Sequence, residues 1–481
     1  MDDGSVDYQA YLAGLYPGTT WSLARLAGGL VNRTLRATLV AGSAPHRSLI
    51  VKHARPYVET AGPEWAFSTD RQVSTLCITP CPPCCVVAPS RRDPPTPISQ
   101  PPQWINNMSL RAQAIEAAVL SLWHTPGTLA RYRQQPGTAW HTPRLIRHDQ
   151  GPESALRLTE SAQESSVLLL SDFGPLVNIV EFLASAPPTG PSATDVDAIA
   201  ATVGRAFALL HSPRLAAAVR AQPDVEALLT HHLGRDVVRR ACIEPLLARL
   251  AVSRDDEDAR TLYGRVVADF EGPEDYAYRE CFTLGDFTPG SILMRQRRAA
   301  ADGELSLSSS SSVDAAVVDD STPILVDWEF AQVNGRGVNG DMAQFLASMR
   351  CEILASKKAG GGDGDSDSIT AAAHDNLVRF TTGFCAAYRN ESRLQCRRLA
   401  VDPNAQLLRS ALIMHGREVV NQAHDVHAAN PSFADMVASG AACIEIAGDD
   451  MAAFVDGANW ARLAESEAAE LVTSLFNMEW E

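Results

Sequence analysis

A turn that carries an aspartate and runs into an apolar strand is the feature that most constrains this chain. Residues 283–294 read Thr-Leu-Gly-Asp-Phe-Thr-Pro-Gly-Ser-Ile-Leu-Met, and the turn contains Gly285, Pro289 and Gly290. Glycine and proline favour tight turns, and the apolar residues that follow favour a buried strand. The pattern predicts that Asp286 is held on a tight loop beside a rigid scaffold, which is a position suited to a catalytic carboxylate.

A second apolar strand ends in two further carboxylates. Residues 324–329 read Ile-Leu-Val-Asp-Trp-Glu. In an extended chain residues i and i+2 point the same way, so we expect Asp327 and Glu329 to face one ion together. Hard oxygen ligands of this kind suit Mg²⁺, which also binds the phosphates of a nucleotide. A loop aspartate followed by two strands, the second ending in a metal-binding aspartate, indicates a phosphotransferase of protein-kinase-like fold.

The first motif resembles the His-x-Asp-x-x-x-x-Asn loop of the aminoglycoside phosphotransferase and choline kinase family, with Leu284 at the His position and Ser291 at the Asn position. Methylthioribose kinases resemble it most closely in motifs, because they also have Gly-Ser here and Asp-x-Glu at the second motif. The resemblance implies that Asp286 is the catalytic base and that ATP is the phosphate donor. It also implies that Asp327, Glu329 and Ser291 hold Mg²⁺.

Two glycines and a lysine in the N-terminal part indicate a phosphate-binding sheet. Gly28 and Gly29 join two strand-like runs, and glycine lets the backbone approach a phosphate closely. Lys52 comes at the end of the run Ser-Leu-Ile-Val-Lys, where kinases hold the lysine that contacts the α- and β-phosphates. We therefore count Gly28, Gly29, Asn32 and Lys52 as candidate nucleotide contacts.

The stretch after this lysine adds to the resemblance. Residues 52–72 are similar to the segment that follows the same lysine in methylthioribose kinases, which next form a helix that contains a glutamate. Residues 114–123 supply that helix here. The resemblance implies that Glu116 is the ionic partner of Lys52, and an exposed helical glutamate is the alternative.

Residues 73–113 differ in composition from the rest of the chain. They combine many prolines with several cysteines, but the single Cys-Pro-Pro-Cys of Cys81 and Cys84, without a second pair, is a weak zinc signal. We expect a disordered insertion. A retained intron is the alternative, because Val73-Ser74 can be encoded by a splice-donor sequence and removal of the segment restores a sequence similar to the family's.

Residues 166–174 read Ser-Val-Leu-Leu-Leu-Ser-Asp-Phe-Gly, a strand followed by a turn. The segment resembles the hinge between the lobes in this family, where the main chain meets the adenine. The resemblance implies that Ser171, Asp172 and Phe173 contact ATP through backbone groups. A generic buried strand and turn is the alternative.

The order of these segments predicts an α+β, two-lobed protein-kinase-like fold with the site in the cleft. We expect an N-terminal lobe in residues 1–172, with an antiparallel sheet and one main helix, and a larger, mostly helical catalytic lobe in residues 173–481. Two more insertions are expected to be disordered: residues 299–322, which contain a serine run, and residues 357–368, which are rich in Gly and Asp.

Other positions are interpreted as supporting or substrate-binding residues. Asp341 matches the aspartate that holds the catalytic loop in this family, and His211, at the end of a helix, is interpreted as structural. Residues 416–429 resemble the helix that carries two arginines for the sugar in methylthioribose kinases. The corresponding positions here are Asn421 and Gln422, so the sequence leaves the acceptor open.

Charge and hydropathy narrow the range of partners. A net charge of -16 argues against nucleic acid as the main partner. No apolar run reaches the roughly 18 residues that span a bilayer, and the start Met-Asp-Asp-Gly lacks signal-peptide character. We expect a cytoplasmic protein without a membrane partner, whose 10 cysteines are mainly buried thiols. The oligomeric state is left open.

The predicted activity is transfer of the γ-phosphoryl group of ATP to a hydroxyl of a small metabolite. One alternative is a nucleotide-binding protein of the same fold without turnover, which Leu284 and Ser291 favour but Asp286, Asp327 and Lys52 oppose. A second alternative is a kinase acting on protein hydroxyls. The sequence lacks the activation segment ending in Ala-Pro-Glu that such an enzyme would have.

Overall fold

A computed structural model describes residues 6–26, 32–54, 103–133, 139–150, 166–185, 190–230, 235–272, 280–295, 321–359 and 366–480. The chain divides into two compact units: Met1–Ala114 with Ile146–Ser171, and Ile115–Leu145 with Asp172–Glu481. The predicted lobe limits stay a prediction. The units divide at nearly the same point of the chain, between Ser171 and Asp172, and the second unit also takes in Ile115–Leu145.

A five-stranded sheet organises the first unit, in the order β1-β2-β3-β5-β4. The strands β1 to β3 pair antiparallel with their neighbours, and β3 pairs antiparallel with β5. The antiparallel arrangement agrees with the predicted N-terminal sheet. The strands are β1 (Thr20–Arg25), β2 (Asn32–Ala41), β3 (Ser48–Ala54), β4 (Leu145–Gln150) and β5 (Ser166–Ser171).

Helix α1 (Tyr8–Leu15) packs on one face of this sheet. Alternate residues of β3, Leu49 and Val51, are fully buried in a cluster with Tyr11 and Leu12 of α1. Lys52 comes directly after Val51, so the period of two along a strand directs its side chain to the opposite face. The side chain of Lys52 therefore lies on the face of the sheet that α1 does not cover.

The second unit is mostly helical, and its strands are short. Helix α2 (Gln103–His124) begins in the first unit and continues into the second. The other helices are α3 (Ala130–Arg133), α4 (Ile179–Ala184), α5 (Ala193–Leu210), α6 (Pro213–Arg220), α7 (Pro223–Leu229), α8 (Arg235–Val238), α9 (Leu246–Leu250), α10 (Asp256–Glu271), α11 (Ala343–Ala359), α12 (Ser366–Ser392), α13 (Pro403–Asp425), α14 (Phe433–Ile446), α15 (Met451–Phe454), α16 (Gly457–Glu465) and α17 (Glu470–Thr473).

The strands of this unit form three small sheets. One sheet has the antiparallel order β6-β8-β9, and a second is the antiparallel pair of β7 and β10. Strands β7, β8 and β9 of these two sheets lie at the ends of the motifs at residues 283–294 and 324–329. The predicted fold class, an N-terminal antiparallel sheet followed by a mainly helical part, is confirmed. The strands are β6 (Leu176–Asn178), β7 (Glu280–Thr283), β8 (Ile292–Arg295), β9 (Ile324–Leu325), β10 (Gln332–Arg336), β11 (Gln395–Cys396) and β12 (Asn477–Met478).

Helix α13 packs against both α11 and α14. Its N-terminus is capped by the side chain of Asp402, with Pro403 in the first turn, which suits a helix start. Further along, Gly416 meets Gly440 of α14: a Cβ added at either glycine would lie 2.4 Å or 2.6 Å from the carbonyl oxygen of the other. Glycine at both positions therefore permits the close approach that fixes this part of α13.

Several predicted features fall outside the described residues: Gly28, Gly29, the cysteines at 81 and 84 and, of the insertions predicted at residues 299–322 and 357–368, residues 299–320 and 360–365. The segment predicted as an insertion, residues 73–113, is described from Gln103 onward, where the chain is helical and Gln113 is fully buried. The interpretation of residues 73–113 as an insertion or a retained intron stays a prediction. No helix in the described ranges is long and apolar enough to cross a membrane.

Candidate active site

The loop that carries Asp286 begins where β7 ends, and its backbone is tightly constrained. Gly285 has φ +89°, and a Cβ there would lie only 2.0 Å from the carbonyl oxygen of Phe330. No L residue fits both the left-handed backbone and this contact without a shift. The prediction that glycine and proline place Asp286 on a tight turn is confirmed in its geometry.

A buried carboxylate holds the start of this loop. Asp341 accepts hydrogen bonds from the backbone N–H of Leu284 at 2.7 Å and of Gly285 at 3.0 Å. Its Oδ2 also lies 3.3 Å from Nε2 of His211, whose Nδ1 lies 3.0 Å from the hydroxyl of Tyr388. The interpretation of Asp341 as the residue that holds the loop agrees with these contacts, and His211 supports Asp341.

Phe287 anchors the loop on its apolar side. Its ring is stacked between Phe207 at 3.7 Å and Phe345 at 4.3 Å between centroids, and it is fully buried. Leu284 is also fully buried, so the residue at the family's His position packs in the core and does not reach the site. Buried residues therefore hold the loop in place on both sides of Asp286. These contacts do not involve its carboxylate.

The side chain of Asp286 is half-buried and accepts a hydrogen bond of 2.5 Å from Nε2 of Gln344. Burial raises the pKa of its carboxyl group to about 6, because removal from water disfavours the charged form. The hydrogen bond from Gln344 lowers the pKa, and the negative charges of Glu329 and Asp327 raise it. At neutral pH the carboxylate is ionised and remains basic enough to accept a proton.

The Ser291 hydroxyl stabilises the loop internally. It donates to the backbone oxygen of Asp286 at 3.2 Å and accepts from the N–H of Thr288 at 3.3 Å. A hydroxyl has one donor and two acceptor positions, so one lone pair is left for a further partner. The predicted role of Ser291 as a metal ligand is compatible with these contacts and stays a prediction.

The backbone at the second motif differs from the expected strand. Strand β9 ends at Leu325, Asp327 has the left-handed φ of 62° and ψ of 56°, and Trp328 to Phe330 form a turn of 3₁₀-helix. The premise that Asp327 and Glu329 share a face by strand alternation is therefore wrong. Both carboxylates nevertheless lie close enough to Asp286 to raise its pKa, so a turn brings them to the same site.

Trp328 explains why the strand ends there. Its ring is buried in a cluster with Trp123, Trp140 and Phe282, at centroid distances of 5.7 Å, 6.2 Å and 6.0 Å. Its indole N–H donates to the hydroxyl of Thr142 at 3.0 Å. Burial of so large a ring outweighs the cost of one left-handed residue, which is small for aspartate.

The donors at this site fit Mg²⁺. Asp327 and Glu329 offer hard carboxylate oxygens, and Ser291 offers a hydroxyl oxygen. Throughout the described segments no group of three or more His, Cys, Asp or Glu side chains is arranged to hold a metal ion on its own. A magnesium ion that takes its remaining oxygens from phosphates and water requires only one or two protein carboxylates.

The first unit contains two of the candidate nucleotide contacts. Lys52 and Asn32 are both buried on neighbouring strands, with relative exposures of 6% and 1%. Gln113 connects them, since its Nε2 donates to the backbone oxygen of Lys52 at 3.0 Å and to Oδ1 of Asn32 at 3.3 Å. Lys52 is thus not a solvent-exposed side chain at the end of a strand, and a buried ammonium group requires an anionic partner.

The remaining predicted residues lie at and just after the end of β5 and on α2. Ser171 ends β5, Oδ1 of Asp172 accepts from the N–H of Gly174 at 2.9 Å, and the backbone oxygen of Phe173 accepts from Arg295 at 3.3 Å. Glu116 on α2 is buried, which excludes the alternative of an exposed glutamate. The pairing of Glu116 with Lys52 and the hinge contacts to adenine stay predictions.

Gln344, which donates to Asp286, was missed in the sequence, as was the buried ion pair of Arg417 and Glu418. Gln344 follows Asp341 by three residues, a spacing that places two helical side chains on one face and could have indicated it. Arg417 and Glu418 are adjacent opposite charges inside an apolar stretch of α13, which is the pattern of a buried ion pair. Asn421, which was singled out, instead donates to the backbone oxygen of Cys242 at 3.1 Å.

No family model and no curated protein matches this sequence. Solved structures do match. A choline kinase from Cryptosporidium parvum Iowa II is 11% identical, with 95% of this chain and 94% of that chain covered and a TM-score of 0.36. A protein from Ralstonia eutropha JMP134, described provisionally as an aminoglycoside phosphotransferase, is 12% identical, with 92% and 97% covered and a TM-score of 0.39.

An ethanolamine kinase from Plasmodium vivax is 9% identical, with 89% of this chain and 81% of that chain covered and a TM-score of 0.33. These structures belong to the family that the sequence motifs resemble. Closeness to methylthioribose kinases is not tested by them and stays a prediction.

Proposed function

We propose that this chain is a small-molecule kinase of the aminoglycoside phosphotransferase and choline kinase-like family, which transfers the γ-phosphoryl group of ATP to a hydroxyl of a small metabolite. The observation that carries the proposal is that the carboxylates of Asp327 and Glu329, on the turn after β9, lie near the carboxylate of Asp286, on the loop after β7. Asp286 is held by Gln344, and Asp327 and Glu329 lie close enough to raise its pKa. One carboxylate with a raised pKa beside two that suit a metal ion is the arrangement that phosphoryl transfer requires.

Asp286 is the proposed base. Its carboxylate orients the acceptor hydroxyl and accepts the hydroxyl proton as the new oxygen–phosphorus bond forms. Gln344 fixes the orientation of the carboxylate, and Asp341 fixes the backbone on which it stands. Since catalysis of this kind is mainly positioning and charge stabilisation, the rigid loop is as important as the base.

Asp327 and Glu329, with Ser291, would hold Mg²⁺, which when bound neutralises charge on the phosphates. Lys52 would contact the α- and β-phosphates, with Glu116 as its proposed partner. Asn32 and the backbone of Gly28 and Gly29 are proposed to line the phosphate side, and the backbone of Ser171, Asp172 and Phe173 the adenine side. The proposed location is the cytoplasm, where ATP is available.

The other candidate is a protein of the same fold that binds nucleotide without turnover. It is favoured by Leu284, which is fully buried and supplies no polar group to the site. Against it stands the hydrogen bond between Asp341 and the N–H of Leu284, which holds the loop without a histidine side chain.

An assay of ADP release distinguishes the kinase from the protein without turnover. The assay contains ATP, Mg²⁺ and hydroxylated metabolites. The measurement compares the full chain with Asp286→Asn and with Asp449→Asn, a matched change at an exposed aspartate that pairs with Arg265. The proposal predicts acceptor-dependent ADP release that Asp286→Asn abolishes and Asp449→Asn preserves. ATP binding with no ADP release for any acceptor would support the protein without turnover.

A further inference from the structure

The second unit contains a cavity of about 250 Å³ that the proposed phosphoryl transfer does not use. Its walls come from the end of α5, the start of α6, the turn after β10 and the end of α12. A space of this size holds about eight water molecules. It is smaller than the roughly 300–1,000 Å³ of sites that bury a drug-sized ligand, so it suits a smaller molecule.

Two polar groups on the cavity wall have an unused hydrogen-bonding position. Asn339 is 1% exposed, and its Nδ2 donates to the hydroxyl of Ser410 at 3.0 Å, but its Oδ1 receives no hydrogen bond from any described residue. The buried hydroxyl of Ser392 has no hydrogen-bond partner in the same part of the chain. Since buried polar atoms are almost always paired, both point to a partner that the protein itself does not supply.

Two opposite charges line the same cavity. Arg214, in the first turn of α6, and Glu391, near the end of α12, are both exposed. Arg214 lies over the ring of Tyr132 at 5.1 Å, but across the described segments neither residue forms an ion pair with the other or with a third group. A ligand that carries one negative and one positive group can pair with both.

The rest of the wall is largely apolar. Val338, Leu394 and Leu407 line the cavity and are 3% to 6% exposed. Apolar atoms of a ligand that lie against these side chains leave water, which favours binding. The cavity thus combines an apolar surface with one cationic and one anionic side chain.

The cavity also adjoins the support of the Asp286 loop. His211 and Tyr388 both line it. Nε2 of His211 donates to Asp341, so in the neutral imidazole Nδ1 is an acceptor and the hydroxyl of Tyr388 donates to it. Asp341 in turn accepts from the N–H of Leu284. A ligand in the cavity therefore lies against two residues that stand behind the loop.

We infer that this cavity binds a small apolar α-amino acid and that its occupation stiffens the support of the Asp286 loop. The carboxylate of the amino acid accepts from Arg214 and from the hydroxyl of Ser392. Its ammonium group, which has three donors, pairs with Glu391 and donates to Oδ1 of Asn339. The side chain packs against the apolar wall. The inference does not depend on the proposed phosphoryl transfer.

The first test is calorimetric titration of the full chain with L-leucine, L-methionine and L-valine. Two analogues of leucine each lack one charge: 4-methylpentanoate has no ammonium group, and 3-methylbutylamine has no carboxylate. We expect at least one of the amino acids to bind with a Kd below about 1 mM. Each analogue is expected to bind about 10- to 100-fold more weakly than leucine, as loss of a hydrogen bond to a charged group predicts.

Arg214→Gln and Glu391→Gln test the two charges. Both residues are exposed, so we expect both variants to fold and to weaken binding of the amino acid by about 10-fold or more. The controls are Arg260→Gln in α10 and Glu465→Gln in α16, which change exposed residues of the same types outside the cavity. Both controls are expected to leave the affinity unchanged.

Hydrogen–deuterium exchange tests the link to the loop without an activity assay. We expect the saturating amino acid to slow exchange in residues 283–294, whose N–H groups include those held by Asp341, and to leave exchange in residues 457–465 of α16 unchanged. Glu391→Gln is expected to remove this protection at the same concentration of amino acid.

The outcomes that contradict the inference are separate from those that concern phosphoryl transfer. No binding of any of the three amino acids to the folded chain, or unchanged affinity in both Arg214→Gln and Glu391→Gln, overturns the site. Equally tight binding of either one-charge analogue overturns the assignment of an amino acid as the ligand. Binding without slower exchange in residues 283–294 overturns the link to the loop. Failure of the chain to bind ATP or to release ADP bears on the proposed function alone.

Discussion

The backbone N–H of Leu284 donates a 2.7 Å hydrogen bond to the carboxylate of Asp341, 57 residues further along the chain. Leu284 stands where a histidine is found in the family that the motif resembles, and its side chain is buried in the core. The contact is made by the main chain, so it does not depend on the residue type. A loop that is held in this way can keep its geometry without a histidine at this position.

Asp341→Asn tests this support. The amide supplies only one acceptor oxygen where the carboxylate accepts from two N–H groups, so one of them faces an NH₂ group. We expect the free energy of unfolding to fall by about 3 kcal/mol and kcat to fall about 100-fold, because the base is misplaced. Urea denaturation and steady-state kinetics measure the two effects. The control Asp449→Asn is expected to change stability by less than about 0.5 kcal/mol, and an equal loss in both variants would contradict the account.

Gly285→Ala and Gly127→Ala form a matched pair. Both glycines have a left-handed backbone, with φ +89° and +85°, but a Cβ has nothing within 4 Å at Gly127 and meets the carbonyl oxygen of Phe330 at Gly285. Gly127→Ala is expected to cost about 1 kcal/mol for the backbone alone. Gly285→Ala is expected to cost about 1–3 kcal/mol more and to remove activity. Similar melting temperatures for the two variants would show that the contact with Phe330 is not restrictive.

The raised pKa of Asp286 predicts an acidic limit of activity. A base with a pKa of about 6 is protonated below that pH and cannot accept the hydroxyl proton. We expect kcat/KM to fall tenfold per pH unit below about pH 6. Glu329→Gln removes one of the charges that raise this pKa, so it is expected to move the limit to lower pH. A limit that stays in place in that variant would show that the charge of Glu329 does not act on the base.

Asp286→Asn is expected to lower kcat by about 100- to 10,000-fold without lowering stability at neutral pH. Because the pKa is higher in the folded than in the unfolded protein, the folded state binds more protons between about pH 4 and pH 6. The free energy of unfolding therefore falls as pH rises through this window. The asparagine carries no charge to bury, so its melting temperature at pH 7.5 is expected to equal or exceed that of the unchanged chain. A clear loss of stability at this pH would contradict the cause given for the raised pKa.

The sequence was sufficient for features that depend on local chemistry. The apolar run from residue 49 to residue 51 predicts the strand that carries Lys52, and Gly285 with Pro289 predicts the turn at Asp286. The mainly helical C-terminal part follows in the same way from apolar residues at helical spacing. Local sequence patterns carry no information about packing between residues that are distant in the chain. The predictions fail where such packing determines the structure.

Asp327 illustrates the limit. Its apolar neighbours favour a strand, but burial of Trp328 among Trp123 and Trp140 turns the chain after Leu325. Trp123 and Trp140 lie about two hundred residues earlier in the chain, and the hydrogen-bond partner Thr142 precedes Trp328 by 186 positions. The pair of Arg417 and Glu418 was missed for a related reason, since only the packing of α13 buries it.

The most direct test of the central claim is calorimetric titration of ATP into the full chain, with and without Mg²⁺, beside Asp327→Asn. Asparagine tolerates the left-handed backbone of residue 327, so the substitution removes the charge and leaves the fold in place. The account predicts binding that depends on Mg²⁺ and is at least about tenfold weaker in Asp327→Asn, with Asp449→Asn unchanged. Equal affinity in Asp327→Asn and the unchanged chain, or no binding of ATP by the folded protein, would contradict a magnesium nucleotide site at these carboxylates.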